Sequence, residues 1–461
     1  MNTMAPADEL HRLAKRALDN GTATSIAESE RLLHGYRIAL TIGANEAKDR
    51  NHQTALLTAV ALGRRVFLGG VFVDGPLDTP LLSPLLFGRT LAEAIATLGG
   101  TCGPAPSAHV PHIVIGGPVR ARIDRFEVRA VFDGWRGGIV PGHKPGLGAG
   151  EIPTMPLSAM LAAALAVNEA FLHFSGEMAA AGRRSVGLNL WDIERSVDWF
   201  ENDSAAPALR YLPTRLWLVG LGHLGQAYLW GLGLLPFSAD VKVQLVLQDN
   251  DKITGSTEST SVLSDRTMIG LKKTRAMAAW ADRRGFETTI TERLFDQQFR
   301  RRHDEPAIAL CGMDNAQGRR ALDQVGFDFV VEAGLGRSHQ DFRSMLVHTL
   351  PGELTASELW KEAESATPQA LEAAAYRSML ADGSLDQCGV TLLAGKAVGA
   401  PFVGAVAATL VLCEVLRLLH GGPLHRLIDL NLIDPTRLRA AQQTRDFSTF
   451  NPGFSEVHGR Q

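Results

Sequence analysis

An apolar run, Arg215-Leu-Trp-Leu-Val219, leads straight into Gly220-Leu-Gly222-His-Leu-Gly225 and then into an apolar helical pattern from about Leu224. Strand, glycine loop and helix in this order constrain the chain more than any other feature. Glycines at these places let the backbone turn tightly and bring N–H groups and a helix N-terminus against a phosphate. The next apolar run, 241–249, ends on Asp249, a carboxylate able to bind ribose hydroxyls at either a dinucleotide or an ATP site. The residues that follow separate the two. Asp251 comes next, then a hydroxyl-rich loop, 254–260, and then Gly270-Leu-Lys272-Lys273. Further on, the apolar residues 309–311 deliver Asp314-Asn315 at a strand end. A dinucleotide enzyme has no use there for a second carboxylate and a helix-opening lysine pair. A triphosphate has: lysine neutralises phosphate charge, and a carboxylate beside it holds Mg²⁺.

The rest of the chain supplies a frame. Residues 7–36 read as helical with charges on one face, followed by a strand ending at Gly43 and a second strand across 65–73. Residues 137–156 are dense in Gly and Pro and read as loop. The stretch 177–213 reads as a charged connector with one amphipathic helix, and Arg300-Arg-Arg-His303 as a solvated helix end. Strand and helix patterns alternate in both halves, the mark of mostly parallel sheets with helices on their faces. The halves also echo each other. Residues 156–176 align without gaps on 401–421, pairing Pro156 with Pro401, Glu169 with Glu414 and Gly176 with Gly421. Either any two Ala/Leu-rich helices align this well, or the fold is duplicated.

From 211 to about 425, the glycine loop, Asp-x-Asp, Gly-x-x-Lys and Asp-Asn stand in the order that resembles the ThiF/MoeB family and the adenylation domains of ubiquitin-activating enzymes. That resemblance implies an α/β chain of two Rossmann-like adenylation folds. Residues 1–190 would be a degenerate copy, 191–213 a connector, and 214–461 the active copy, with a catalytic-cysteine segment around 353–400. It implies ATP and Mg²⁺ as cofactors. Gly220, Gly222 and Gly225 would line the phosphates and Asp249 the ribose, with Asp251 close by. Lys273 would act on the phosphates and Asp314 would hold the metal. The family carries Asn and Arg where this chain has Thr257 and Thr260, and threonine cannot replace a bidentate arginine. Either Arg275, Arg319 or an arginine of the first half (Arg31 and Arg50 are candidates) serves instead, or activity is reduced. The first half has Gly43-Ala-Asn-Glu46 in place of the glycine loop, as in an inactive partner half.

Cys388 precedes the Pro401 helix, where the family keeps the cysteine that forms a thioester or persulfide; the order matches, while the spacing is longer. Cys311 and Cys413 read as core, and Cys102 has no base near it in sequence. The resemblance therefore implies activation of a ubiquitin-like protein, thioester formation on Cys388 and transfer to a conjugating enzyme. It points to bacterial ubiquitin-like conjugation systems linked to antiphage defence, and leaves a homodimer open. Adenylation for sulfur transfer or peptide modification, an NAD(P)-dependent oxidoreductase and a non-catalytic scaffold stand as alternatives. A net charge of -3, from 46 basic and 49 acidic residues, argues against coating nucleic acid by bulk charge. No C-x-x-C pair suggests a zinc or disulfide framework. No long uncharged apolar span or N-terminal signal core is read, so the expectation is a soluble cytoplasmic protein without a membrane partner.

Overall fold

The computed structural model describes residues 6–119, 125–148, 150, 152–201, 206–361 and 373–457. Three short helices open it: α1 (Pro6–Glu9), α2 (Lys15–Asp19) and α3 (Ile26–His34). The expected continuous helix over 7–36 is thus broken. Gly21, at φ +77°, turns the chain, and Ser25 restarts it by accepting the Glu28 N–H at the N-cap of α3.

The first sheet contains β1 (Ile38–Ile42), β2 (Val71–Asp74), β3 (Thr101–Cys102), β4 (His112–Ile115), β5 (Glu127–Asp133), β6 (Arg136–Pro141) and β7 (Val186–Asn189). Helices α4 (Arg50–Gly63), α5 (Leu91–Thr97) and α6 (Pro156–Ser175) connect them. After β8 (Tyr211–Pro213) comes the second sheet: β9 (Arg215–Val219), β10 (Val243–Gln248), β11 (Phe286–Thr291), β12 (Ile308–Cys311), β13 (Phe329–Leu335), β14 (Ser344–Leu350), β15 (His425–Asn431) and β16 (Arg439–Gln442). Its helices are α7 (His223–Leu234), α8 (Gly255–Glu258), α9 (Lys273–Asp282), α10 (Ala316–Val325), α11 (Ala356–Leu359), α12 (Ala374–Ala381), α13 (Gln387–Gly395) and α14 (Pro401–His420). A final strand, β17 (Phe454–Glu456), pairs with β8.

The two sheets repeat one topology. Their orders are β3-β2-β1-β4-β5-β6-β7 and β11-β10-β9-β12-β13-β14-β15-β16. In each, parallel pairing runs through the fifth strand and antiparallel pairing follows. The echo in sequence is therefore a duplicated fold rather than a coincidence of composition. Helices α6 and α14 each span 20 residues, begin on proline and end on a left-handed glycine, Gly176 or Gly421. They pack on each other and carry one apolar core across both halves. By length and composition both could cross a membrane, but each is 89% buried over its most apolar stretch, as core helices are.

The paired glutamates anchor the chain that follows each helix. Glu169 binds Arg184 at 2.8 Å. Glu414, fully buried, meets Arg417 and accepts from His425 N–H at 3.1 Å. Burial opposes ionisation of Glu414, yet Arg417 and His425 outweigh it and lower its pKa. Glu414→Ala would leave Arg417 buried without its counter-charge, and about 3–5 kcal/mol of stability should be lost at neutral pH by chemical denaturation. In the parent protein the Glu414 contribution is held above the ordinary carboxylate pKa and fades as pH falls through the depressed value.

Four further readings from sequence need correction. The stretch 177–213 is not a mere connector: it carries the buried strand β7, and its helical part is only a 3-10 helix over Ile193–Asp198. Residues 137–141 are not loop but the buried strand β6. A side chain at Gly137 would strike the Ser158 backbone of α6, and one at Gly138 would strike Trp199, so glycine here records close packing, not a turn. Strand β2 starts only at Val71, because residues 64–70 turn the chain off α4 with Gly70 at φ +128°. Residues 300–303 form no helix; Arg301 donates to the Gly326 carbonyl behind α10 and pairs with Asp328 at 3.2 Å.

Candidate nucleotide-binding site

A cavity of about 410 Å³ opens at the C-terminal ends of β9, β10 and β12, where open α/β sheets bind ligands. Gly220, at φ +84°, has no room for a side chain, because the Gly312 carbonyl lies 2.8 Å from where a Cβ would sit. Gly222 precedes α7 and is different. A Cβ there would meet nothing nearer than Lys273 Nζ at 4.0 Å, so its glycine leaves backbone open toward the cavity. Gly225 does not line the cavity; it lies inside α7 against the Gly220 carbonyl and lets helix and loop close together.

Asp249 ties this loop to the next. Its two oxygens accept the Leu221 N–H at 2.7 Å and the Asp251 N–H at 2.8 Å. Lys273, the first residue of α9, lies 3.0 Å from Asp251 and 3.7 Å from Asp249. Asp314 follows β12 on the same wall. Six of the seven non-cysteine residues expected at the site are therefore brought together: Gly220, Gly222, Asp249, Asp251, Lys273 and Asp314. Among the described residues no group of three His, Cys, Asp or Glu side chains converges as a metal cage. One carboxylate facing a cavity with a lysine suits Mg²⁺, which takes its other ligands from phosphate and water.

An arginine from the first half enters the cavity wall, beside Arg293, Arg319 and Arg337 of the second half. Arg12, between α1 and α2, lines the cavity and donates Nε to Ser256 and Nη1 to the Ala397 carbonyl at 3.0 Å. Its N–H donates to Ser259 at 3.1 Å. Burial lowers its pKa, the Asp314 carboxylate opposes that lowering and Arg337 adds to it. Arg319 also lines the wall, but Arg275 pairs with Glu292 outside it, and Arg31 and Arg50 do not reach it. Sequence reasoning allowed for a first-half arginine in place of Thr257 and Thr260 but named Arg31 and Arg50 rather than Arg12. Those threonines line the cavity beside Ser261, whose buried hydroxyl has no hydrogen-bond partner. His223 is packed against Gly404, and burial holds it neutral, with its pKa lowered to about 4.

In the first half the matching space is filled. A side chain at Gly43 or Gly116 would collide with Glu46, whose carboxylate occupies the gap between the ends of β1 and β4. Calorimetry with a non-hydrolysable ATP analogue should thus saturate at about one molecule per chain; two would mean that Glu46 yields the first-half space.

Cys388 is set apart. It is exposed on the first turn of α13, capped by Asp386, rather than on a loop. The cavity is lined by residues from Gly395 onward, so the thiol stands roughly 12 Å back along the helix from Lys396. The expected catalytic-cysteine segment around 353–400 falls partly outside the described residues; within them it forms α11, α12 and α13.

Family models described as the BilD N-terminal and C-terminal domains match residues 37–190 and 212–422. A protein of Collimonas sp. (strain OK412), described as bacterial E1-like protein BilD, is 42% identical over 423 residues, covering 92% of this chain and 91% of that one. Among solved structures, E. coli MccB with AMPCPP and MccA matches over 70% of this chain and 96% of its own, at 13% identity and TM-score 0.36. E. coli tRNA N6-threonylcarbamoyladenosine dehydratase, TcdA, matches over 45% and 86%, at 14% identity and TM-score 0.29. The chain belongs to the BilD family of bacterial E1-like proteins.

Proposed function

We propose that the chain activates the C-terminal carboxylate of a ubiquitin-like protein at the expense of ATP. The observation that carries this reading is the convergence on one cavity of Lys273, Asp249, Asp251, Asp314 and the open backbone at Gly222 with Arg12 from the other half. A carboxylate oxygen of the modifier attacks the α-phosphorus, the bond to the β-phosphate breaks, and pyrophosphate departs with the electron pair. Arg12 and Lys273 hold the charge that grows on the phosphates, and the Gly222 N–H side orients them. Mg²⁺, where bound, would be held by Asp314 and supplies further charge neutralisation at phosphate oxygens. The Cys388 thiolate then attacks the acyl carbon, AMP leaves, and the thioester passes to a conjugating enzyme. We place this reaction in a reducing cytoplasm, in keeping with four unpaired cysteines, and in an antiphage conjugation system.

The test is ATP–pyrophosphate exchange with a small ubiquitin-like protein as the acyl donor. Exchange should require a free C-terminal carboxylate and cease with the same protein amidated. Exchange indifferent to the amide, or absent with every such donor, overturns the reading.

A further inference from the structure

Beneath the cavity wall lies a charged cluster that adenylation as described leaves without a task. Glu332 on β13 has a side chain 1% exposed, and its Oε1 stands 2.6 Å from Arg319 Nε. The approach lacks hydrogen-bond alignment: neither Glu332 oxygen nor Arg319 Nε has a hydrogen-bond partner. The contact is one of charge, in a place nearly without water, where opposite charges hold each other strongly. His348 from β14 lies 3.6 Å from the second oxygen. The Trp360 ring covers both neighbours, 5.7 Å from the Arg319 guanidinium and 5.4 Å from the His348 ring.

Arg319 also lines the cavity. Its Nη2 donates to the Met313 carbonyl at 2.8 Å, one residue before Asp314. A side chain at Gly334 would crowd this guanidinium. The silent half offers a control. There Val114 of β4 sits opposite Arg129 of β5, as Cys311 of β12 sits opposite Glu332 of β13. Arg129 reaches the carbonyls of Gly116 and Gly117 directly from its strand. In the second half that strand position carries a carboxylate instead, and the arginine has moved to α10, where it borders the cavity.

We infer that Arg319, mounted on the buried carboxylate of Glu332, is a positioning residue that fixes the Met313-Asp314 turn so that Asp314 meets a nucleotide-bound divalent cation. The inference rests on the adenylation reading. Its test uses the full chain and Glu332→Gln, which keeps side-chain volume and removes the charge that holds Arg319. Binding of a fluorescent ATP analogue is titrated with Mg²⁺. The midpoint should rise about tenfold, as for loss of a partner behind a metal ligand, while metal-free nucleotide binding is unchanged. In exchange assays KM for Mg-ATP should rise more than kcat falls. A variant with the parent Mg²⁺ midpoint, altered only in melting temperature, overturns the inference. Should Glu332→Gln not fold, Glu332→Gln with Arg319→Met removes both charges and is judged by the same midpoint. A parent protein whose nucleotide binding ignores Mg²⁺ defeats the adenylation reading itself, and the inference with it.

Discussion

Pyrophosphate exchange is expected to fall below detection in Asp314→Ala and by about 10²–10³-fold in Arg12→Ala. The two substitutions remove opposite charges that line one cavity. In the proposed reaction Asp314, at the end of β12, would hold the metal, and among the described residues no group of three His, Cys, Asp or Glu side chains forms a cage elsewhere. Arg12 acts from the first half, and its effect tests whether the duplicated fold works as one unit. If only the second half mattered, removing a side chain about 250 residues away in sequence would leave kcat untouched. Because Arg12 is also tied to Ser256 and Ala397, melting temperature must be measured beside the rate. Arg12→Lys separates the roles. It retains one charge but not the fork that bridges loop and ligand, so a rate between alanine and parent is expected. A parent rate in Arg12→Ala would return the clamp to Arg319 or Arg337.

The cavity was legible because each second-half element that lines it is local. A glycine loop between strand and helix, or an Asp-Asn after an apolar run, needs only a few neighbouring residues to declare itself. Arg12 declares nothing locally. It sits in His11-Arg-Leu-Ala-Lys-Arg16, a basic run that reads as solvated helix surface, yet the Lys15 side chain is 2% exposed and bound to Asp19. What takes the segment inside is the cluster in which Leu10 and Leu18 pack with Tyr376, Met379 and Val390, a contact between chain ends that periodicity cannot reveal. Strand β6 failed for the opposite reason. Glycine at 137 and 138 is a strong turn signal in isolation, and only the neighbouring Ser158 backbone and Trp199 show that lack of a side chain permits packing there. Gly225 stands in the glycine motif and yet serves the helix rather than the ligand, so a motif gives chemistry its address without giving each residue its task.

Cys388→Ala should leave exchange near the parent rate and abolish a thiol-sensitive adduct with the modifier, seen on non-reducing gels. Chemistry at two of the other three thiols is disfavoured by their surroundings. Burial pushes Cys413 up to about 12 and Cys311 well above its ordinary range, and a thiol held protonated is a poor nucleophile. Cys388 and Cys102 are both exposed, so Cys102 is the rival to exclude. The distance of Cys388 from the cavity adds a kinetic expectation. Helices α12 and α13 are fastened to the N-terminal helices by that apolar cluster, by Tyr376 donating to Asp19 at 2.5 Å, and by Lys396 pairing with Asp8 at 2.9 Å. A thiol roughly 12 Å along the helix from Lys396 is expected to leave these contacts before it reaches an adenylate. Adduct formation should therefore lag adenylation in a single turnover, and Tyr376→Phe, which removes one fastening, should shorten the lag without raising the exchange rate. An adduct that persists in Cys388→Ala and disappears with Cys102→Ala would move the nucleophile to the edge of the first sheet, where no helix has to travel.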